Sequence, residues 1–345
     1  MPIPDPTDLV ALDVGGANLK ATDGLGWTRS DAFPLWREWR RLPDAIVALL
    51  ASHVPRRLVA TMTGEIADCY PSRAAGVAHI VESLVAAAER LGCATPPGIY
   101  LLDGRIVGPA EAKAEPLLAA ASNWHALARL AAAHATTDRC LLIDVGSTTV
   151  DIVPLESGRP APQAFDDAAR MLAGELVYSG VERTPVAAVV RSLPHRGVRR
   201  PVAAERFADS RDVWMLLGYL PEQADHRDTA DGGPATRDAA RVRLARTLLL
   251  EPADYSPADA VEAAEAFATM QARLLARAVR RVVAGCDWRP TAAVISGHGE
   301  RLARMALERA GVAGPIVSLP EVLGADVSRA APAHALALIA RGMLA

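Results

Sequence analysis

Two segments carry the residues best suited to chemistry. Asp13-Val14-Gly15-Gly16-Ala17-Asn18-Leu19-Lys20 and Asp144-Val145-Gly146-Ser147-Thr148-Thr149-Val150-Asp151 each place an acid at the end of an apolar run, followed by small residues and a second extended run. Glycine tolerates turn dihedrals and the apolar or β-branched flanks favour sheet, so each segment is predicted to be a strand, a tight turn and a returning strand. Backbone N–H groups that converge in such a turn surround phosphoryl oxygens. Gly15, Gly16 and Asn18 in the first copy, and Gly146, Ser147, Thr148 and Thr149 in the second, are the phosphate-binding candidates. Asp13 and Asp144 repel bare phosphate, a conflict that a bridging Mg2+ resolves, so both are candidate magnesium ligands. Lys20 can reach a phosphate while its stem lies on the hairpin, and its charge would stabilise negative charge developing there. Asp151 stands behind these groups. The alternative for each copy is an ordinary hairpin whose polar residues face water. Together the copies lead to the expectation of a phosphorylated ligand held in a cleft between two lobes.

Other polar residues fall at predicted element ends. In Thr61-Met62-Thr63-Gly64-Glu65, Gly64 can bring the backbone close to a substrate and Glu65 can enter the site, or Glu65 is a helix cap. Asn123 and Trp124 precede a helical segment, as an amide and an aromatic wall beside an organic ligand or as core anchoring. Ser296-Gly297-His298-Gly299-Glu300 joins a strand to a helix, with Gly297 and Gly299 as further phosphate-approach candidates. His195 lies in a basic stretch, 191–200, that suits an anionic substrate or a solvated surface. Asp231-Gly232-Gly233-Pro234 reads as a flexible turn or lid, and Cys69 as a residue that can line the site.

The elements that must position these groups alternate strands and helices. Helices are predicted over 43–50, 74–91, 110–121, 123–134, 235–250, 257–284 and 301–310, with strands over 58–62, 99–102, 105–107 and 292–295. The stretch 327–344 reads as a terminal helix returning to the first lobe. The expected division is 1–135, 136–326 and 327–345. A chain of 345 residues with 51% hydrophobic content suits an ordered α/β protein of two domains. A net charge of −3 gives no polycationic surface for nucleic acid. Four dispersed cysteines lack zinc-knuckle spacing, and neither a leader segment nor a spanning helix is evident, so a cytoplasmic enzyme without membrane attachment is expected.

The duplicated hairpins and the Gly297-His298-Gly299 turn resemble the superfamily of sugar kinases, actin and the Hsp70 ATPase domain, and within it the hydantoinase/oxoprolinase branch. The resemblance implies an α/β, two-lobed actin/sugar-kinase-like fold. A narrower resemblance is carried by Thr61-Met62-Thr63-Gly64-Glu65, Ala121-Ser122-Asn123-Trp124 and Gly174-Glu175-Leu176-Val177-Tyr178-Ser179-Gly180-Val181-Glu182-Arg183-Thr184-Pro185. It is to the methanofuran-biosynthesis (aminomethylfuran-phenoxymethyl) synthase family. That family implies condensation of an aminomethylfuran methylene diphosphate with the phenol of gamma-glutamyltyramine or a tyrosine-based acceptor, with release of diphosphate, Mg2+ as cofactor and no requirement for ATP. Asp13, Lys20, Glu65 and Asp144 are then the catalytic candidates, and Thr63, Asn123, Trp124, Tyr178 and Arg183 the substrate contacts. Glu65 would bind the furan's ammonium or accept the phenolic proton, and Arg183 would bind diphosphate or an acceptor carboxylate. A homodimer is compatible with this picture. The competing readings are an ATP-dependent small-molecule kinase, a hydantoinase-like amidohydrolase and an ATP-binding scaffold.

Overall fold

The computed structural model describes residues 5–344. They form two compact units, the first holding residues through Cys140, Leu155–Ala169 and the chain from Val317, the second holding Leu141–Pro154 and Arg170–Ile316. The chain therefore re-enters the first unit at 155–169, an excursion absent from the expected division at 135 and 326.

The first unit is built on strands β1 (Leu9–Val14), β2 (Asn18–Thr22), β3 (Thr28–Ala32), β4 (Arg57–Met62), β5 (Gly98–Tyr100) and β6 (Ile106–Val107), in the order β3-β2-β1-β4-β5-β6. β1 runs antiparallel to β2 and parallel to β4. All six residues of β1 are buried, because helices cover the sheet on both faces. Val10, Leu12 and Val14 join Ile46, Leu49, Val77, Ile80 and Leu84 in one core. Strand alternation puts Leu9, Ala11 and Asp13 on the opposite face. The helix Ala331–Ala340 packs on β1, β2 and β4 and against the helix Asn123–Ala133.

The second unit is built on β7 (Arg139–Val145), β8 (Val150–Glu156), β9 (Arg159–Pro160), β10 (Leu176–Val177), β11 (Ser192–His195), β12 (Val198–Pro201), β13 (Ala292–Gly297) and β14 (Ile316–Ser318), of which β9 and Val317–Ser318 of β14 join its sheet from stretches that belong to the first unit. Its sheet runs β10-β8-β7-β13-β14, with β9 paired to β8 and β11-β12 forming a separate ribbon. The 28-residue helix Pro257–Ala284 starts from a capping box between Ser256 and Asp259, and its apolar stripe, including Leu275, Val279 and Val282, completes the core under the sheet. The arrangement hairpin, first strand, next strand thus recurs as β2-β1-β4 and β8-β7-β13.

Two expected helices are each broken by proline. The 110–121 segment divides into Pro109–Ala114 and Pro116–Ala119, with Glu115 at φ −117° and ψ 56°, outside the helical region. The 327–344 segment becomes Ala325–Arg329 and Ala331–Ala340, where Pro332 occupies the first turn of the new helix. In both places the ring excludes the preceding residues from continuous helix.

The turn glycines are not used for left-handed backbone: Gly15, Gly16 and Gly146 all lack positive φ. The spatial demand falls elsewhere. A Cβ on Gly180 would lie 2.5 Å from the backbone of Ser147 and Thr148, whereas one on Gly16 would meet nothing within 4 Å. Gly180→Ala is therefore expected to lower unfolding stability by about 2 kcal/mol, and Gly16→Ala by less than about 0.5 kcal/mol. Urea denaturation of the two variants checks the contrast.

Candidate active site

The first turn is closed by Gly15 N–H donating to Asn18 O at 3.1 Å, and the second by Gly146 N–H donating to Thr149 O at 3.0 Å. Each turn is tied down through its carbonyls. Gly16 O accepts from Leu35 N and Ala17 O from Phe33 N, at 3.0 and 2.9 Å. In the second turn Gly146 O accepts from Val181 N, Ser147 O from both Glu182 N and Arg183 N, and Thr148 O from Gly180 N, all within 3.1 Å. Every peptide among the described residues is trans, so each bonded C=O directs the following N–H the other way. The amides of Ala17 and Asn18, and those of Ser147, Thr148 and Thr149, consequently face away from the segments that hold the turns. Successive amides aimed outward are what an anion-binding turn requires.

The strand after each hairpin closes on it in the same manner. Val14 O accepts from Thr63 N and Gly64 N, both at 3.0 Å, and Val145 O accepts from Gly299 N at 3.2 Å. Gly297, at φ 79°, passes so close to Val145 and Asp144 that only glycine fits. Thr63-Gly64-Glu65 and His298-Gly299-Glu300 are thus equivalent positions in the two units, a correspondence that the spacing of the hairpins alone does not reveal.

In the first unit Asp13 stands opposite Lys20 in register, with Lys20 Nζ 3.7 Å from Oδ2. Asp13 is 3% exposed and its Oδ1 has no hydrogen-bond partner. Burial pushes its pKa up against the opposing pull of Lys20. Glu65 is 1% exposed, and neither carboxyl oxygen has a hydrogen-bond partner. Burial pushes it up to about 7, the Asp167 carboxylate adds to the rise and Arg73 opposes it. Arg73, at the start of the helix Arg73–Leu91, binds Asp167 at 2.6 Å. Gly76 on that helix lets the Glu65 backbone approach where a side chain would collide. Neither Arg73 nor Asp167 carries a motif, and sequence reasoning missed both.

Nearby, Thr61 and Ser122 hydroxyls share a hydrogen bond of 2.8 Å, and Ala121 holds φ 48°, a conformation unusual for a side chain. Asn123 opens the following helix, and Thr63 is half-buried. Trp124 corrects an expectation: at 2% exposure its ring packs edge-on to His125 and against Phe165 instead of forming an open wall. The exposed aromatic of that contact is Phe165.

In the second unit Tyr178 is exposed and Arg183 half-buried beside the second turn. Asp151 pairs with the buried Arg170 at 2.9 Å, which also donates to Glu175 O, so its role is to brace the hairpin. Gln271, fully buried in the long helix, donates to Ser179 O, Ser179 Oγ and Gly180 O at 3.2, 3.1 and 2.8 Å and accepts from Trp214 Nε1 at 2.9 Å. It anchors the loop that anchors the second turn. Glu182 pairs with His298 at 2.9 Å and with Arg211. Burial acts to raise Glu182, yet His298, Arg211 and His226 hold it below the usual carboxylate range.

Three other expectations change. His195 is buried on the β11-β12 ribbon, accepting at Nδ1 from Arg200 Nε at 3.0 Å, so it is not a surface ligand. Asp231 is gripped by Arg243 and Arg246 at 3.0 and 2.9 Å, which makes its turn an anchored corner and not a lid. Cys69 has its thiol raised by burial, with Sγ 3.8 Å from Leu35 O, and carries no sign of an activated nucleophile. Among the described residues no three His, Cys, Asp or Glu side chains cluster as a metal site, and no helix is long and apolar enough to cross a membrane. The unpartnered, buried oxygen of Asp13 nevertheless fits a hard cation's preference for carboxylate.

The family described as hydantoinase/oxoprolinase matches residues 56–340. The chain belongs to the hydantoinase/oxoprolinase family. This member is 29% identical to the (4-{4-[2-(gamma-L-glutamylamino)ethyl]phenoxymethyl}furan-2-yl)methanamine synthase of Methanocaldococcus jannaschii, over 97% of this chain and 98% of that protein. It is 28% identical to the synthase of the same name from Methanococcus vannielii, over 59% of this chain and 92% of that one. This places it in the hydantoinase/oxoprolinase branch close to the methanofuran-biosynthesis synthases. Among solved structures, the nucleotide-free form of an acetone carboxylase superposes with a TM-score of 0.50 at 14% identity, covering 94% of this chain and 51% of that one. The fold is the α/β fold of the sugar-kinase, actin and Hsp70 type, with mixed sheets and duplicated hairpins.

Because Glu65 holds its proton more tightly in the folded chain, its contribution to stability is complete below about pH 4.5 and is lost as pH rises through about 7. Glu65→Gln removes that dependence. The stability of the variant relative to the parent is expected to rise by on the order of 3 kcal/mol between pH 4 and pH 8. Urea denaturation at the two pH values measures it, and an unchanged difference would show that Glu65 titrates normally.

Proposed function

We propose that this protein joins an aminomethylfuran methylene diphosphate to the phenolic oxygen of a gamma-glutamyltyramine or tyrosine-based acceptor, forming an aryl ether and releasing diphosphate. The protein is an enzyme, a transferase of the synthase type. The end-to-end match to the named synthase supports the reaction class. The observation in the fold that carries the chemistry is Glu65, a buried carboxyl without hydrogen-bond partners whose pKa stands at about 7. An ordinary carboxylate is a poor base for a phenol whose own pKa is about 10; raising the carboxyl towards neutrality narrows that gap.

The C–O bond between the furan methylene and diphosphate breaks with its electron pair going to the diphosphate oxygen. The furan ring stabilises the electron-poor methylene, so the phenol needs little activation before its oxygen attacks. Glu65 takes the phenolic proton. Lys20 and the outward amides of the first turn, including that of Asn18, suit the negative charge of the leaving group, and the amides of Ser147, Thr148 and Thr149 in the second turn are presented in the same way. Asp13 and Asp144 would hold Mg2+, which when bound neutralises diphosphate charge. Thr63, two residues before Glu65, and Asn123, at the start of the helix Asn123–Ala133, suit the furan, while Arg183 and Tyr178 suit an anionic or aromatic end of a substrate. No step consumes ATP.

Purified protein incubated with Mg2+, the furan diphosphate and either acceptor should give the coupled ether and one diphosphate, followed by mass spectrometry, without nucleotide. Asp13→Ala, Asp144→Ala and Lys20→Ala should each lower kcat by about 100-fold or more while far-ultraviolet circular dichroism stays unchanged. Absence of ether with both acceptors, together with ATP-dependent phosphorylation of a small molecule, would replace this reading with a kinase.

A further inference from the structure

Phe165 is 49% exposed, in the stretch 155–169 with which the chain re-enters the first unit. An exposed apolar ring is ordinary on a surface when it is loose, but this one is held from both sides. Its ring lies 6.5 Å from that of Trp124, tilted by 46°. Trp124 is fixed edge-on to His125 at 5.5 Å, and His125 Nδ1 is hydrogen-bonded to the Tyr100 hydroxyl at 2.8 Å. Tyr100 and Trp124 are buried, so the support behind Phe165 belongs to the core. On the other side the backbone is pinned: Asp166 Oδ1 accepts from Ala169 N at 3.0 Å, and Asp167 binds Arg73 at 2.6 Å.

Both supports lead to Glu65. Asp167, two residues after Phe165, acts on the Glu65 carboxyl, and its partner Arg73 stands about one turn before Gly76, against which the Glu65 backbone packs. Trp124 comes three residues after Ala121, whose amide also acts on Glu65. Between them Ser122 is hydrogen-bonded to Thr61, on the strand that delivers Glu65. Phe165 is thus tied to the surroundings of Glu65 by two separate chains of contact, and every residue in both belongs to the first unit. Glu65 is enclosed, whereas Phe165 is open to a ligand.

A para-substituted phenol that gives its proton to Glu65 turns its oxygen inward and its substituent outward, because the two stand at opposite ends of the ring. The ring then passes the open side of the site, where a flat apolar face suits it. Arg73 and Asp167 satisfy each other there and leave recognition of the ring to an uncharged group. We propose that Phe165 is the specificity wall for the acceptor, stacking on the phenol ring of the gamma-glutamyltyramine or tyrosine-based substrate, with Trp124 as the residue that positions it. This rests on the synthase reading and on Glu65 as the group that receives the phenolic proton. Phe165 itself moves no proton and makes no bond.

The test uses the full chain with Mg2+, the furan diphosphate and each phenolic acceptor. Phe165→Ala should raise KM for the acceptor by about ten-fold, with kcat and KM for the furan diphosphate within about two-fold, because stacking holds the ring and not the bond that breaks. Phe165→Tyr, which keeps the flat face, should stay within about two-fold of the parent, and Phe165→Leu, apolar but not flat, should fall between the two. An unchanged acceptor KM in Phe165→Ala, a rise shared equally by both substrates, or a Phe165→Tyr variant as impaired as Phe165→Ala would overturn the assignment while leaving the synthase reaction intact. Absence of ether from the parent protein with both acceptors would instead overturn the reaction, and this assignment with it.

Discussion

The committed carbonyls of the second turn set the direction of everything around them. Gly146, Ser147 and Thr148 each give their oxygen to the 180–183 segment, and a trans peptide then has no choice about where its amide points. That requirement explains a series of otherwise separate residues. Gly180 must lack a side chain because the loop backbone lies against the turn, and Thr184 Oγ1 and Gln271 both hold Gly180 O. Gln271 in turn is kept in place by Trp214. A buried amide with every polar atom bonded is worth having only if its position matters, since an apolar side chain would fill the same space without a desolvation cost.

The two units use one plan and diverge at one residue. Glu65 and Glu300 follow equivalent glycines, yet Glu300 is part-exposed and paired with Arg304, whereas Glu65 is enclosed and lacks a hydrogen-bond partner. A buried carboxyl in that state costs stability whether it is ionised or neutral. Its retention in the first unit, opposite the paired Arg73 and Asp167, marks the place where the fold gives up stability for chemistry. The second unit has His298 one residue before its glycine, where the first has the small hydroxyl of Thr63.

Local patterns made the scaffold readable. Apolar runs ending in an acid and glycines revealed both hairpins, and the 257–284 helix followed from its apolar periodicity. Pro116 and Pro332 divided helices that periodicity alone extends, because a stripe of apolar residues carries no record of a missing N–H. At the site, Asp13, Lys20 and Glu65 announced themselves within short motifs. Asp167 and Arg73 did not, since 94 residues separate them and only the return of the chain at 155–169 brings them together. Trp124 shows the opposite failure: a residue type suited to stacking is equally suited to a core, and only burial separates the two.

The second return of the chain, from Val317, also orders events during synthesis on the ribosome. The first unit lacks the helix Ala331–Ala340, whose apolar side covers β1 and β4, until the whole of 170–316 has been translated. The second unit, contained almost entirely in that stretch, has its long helix and β13 in hand earlier. Vectorial folding would ordinarily favour the N-terminal portion. Here the part of the amino-terminal sheet that Ala331–Ala340 covers stays open until that helix has been made.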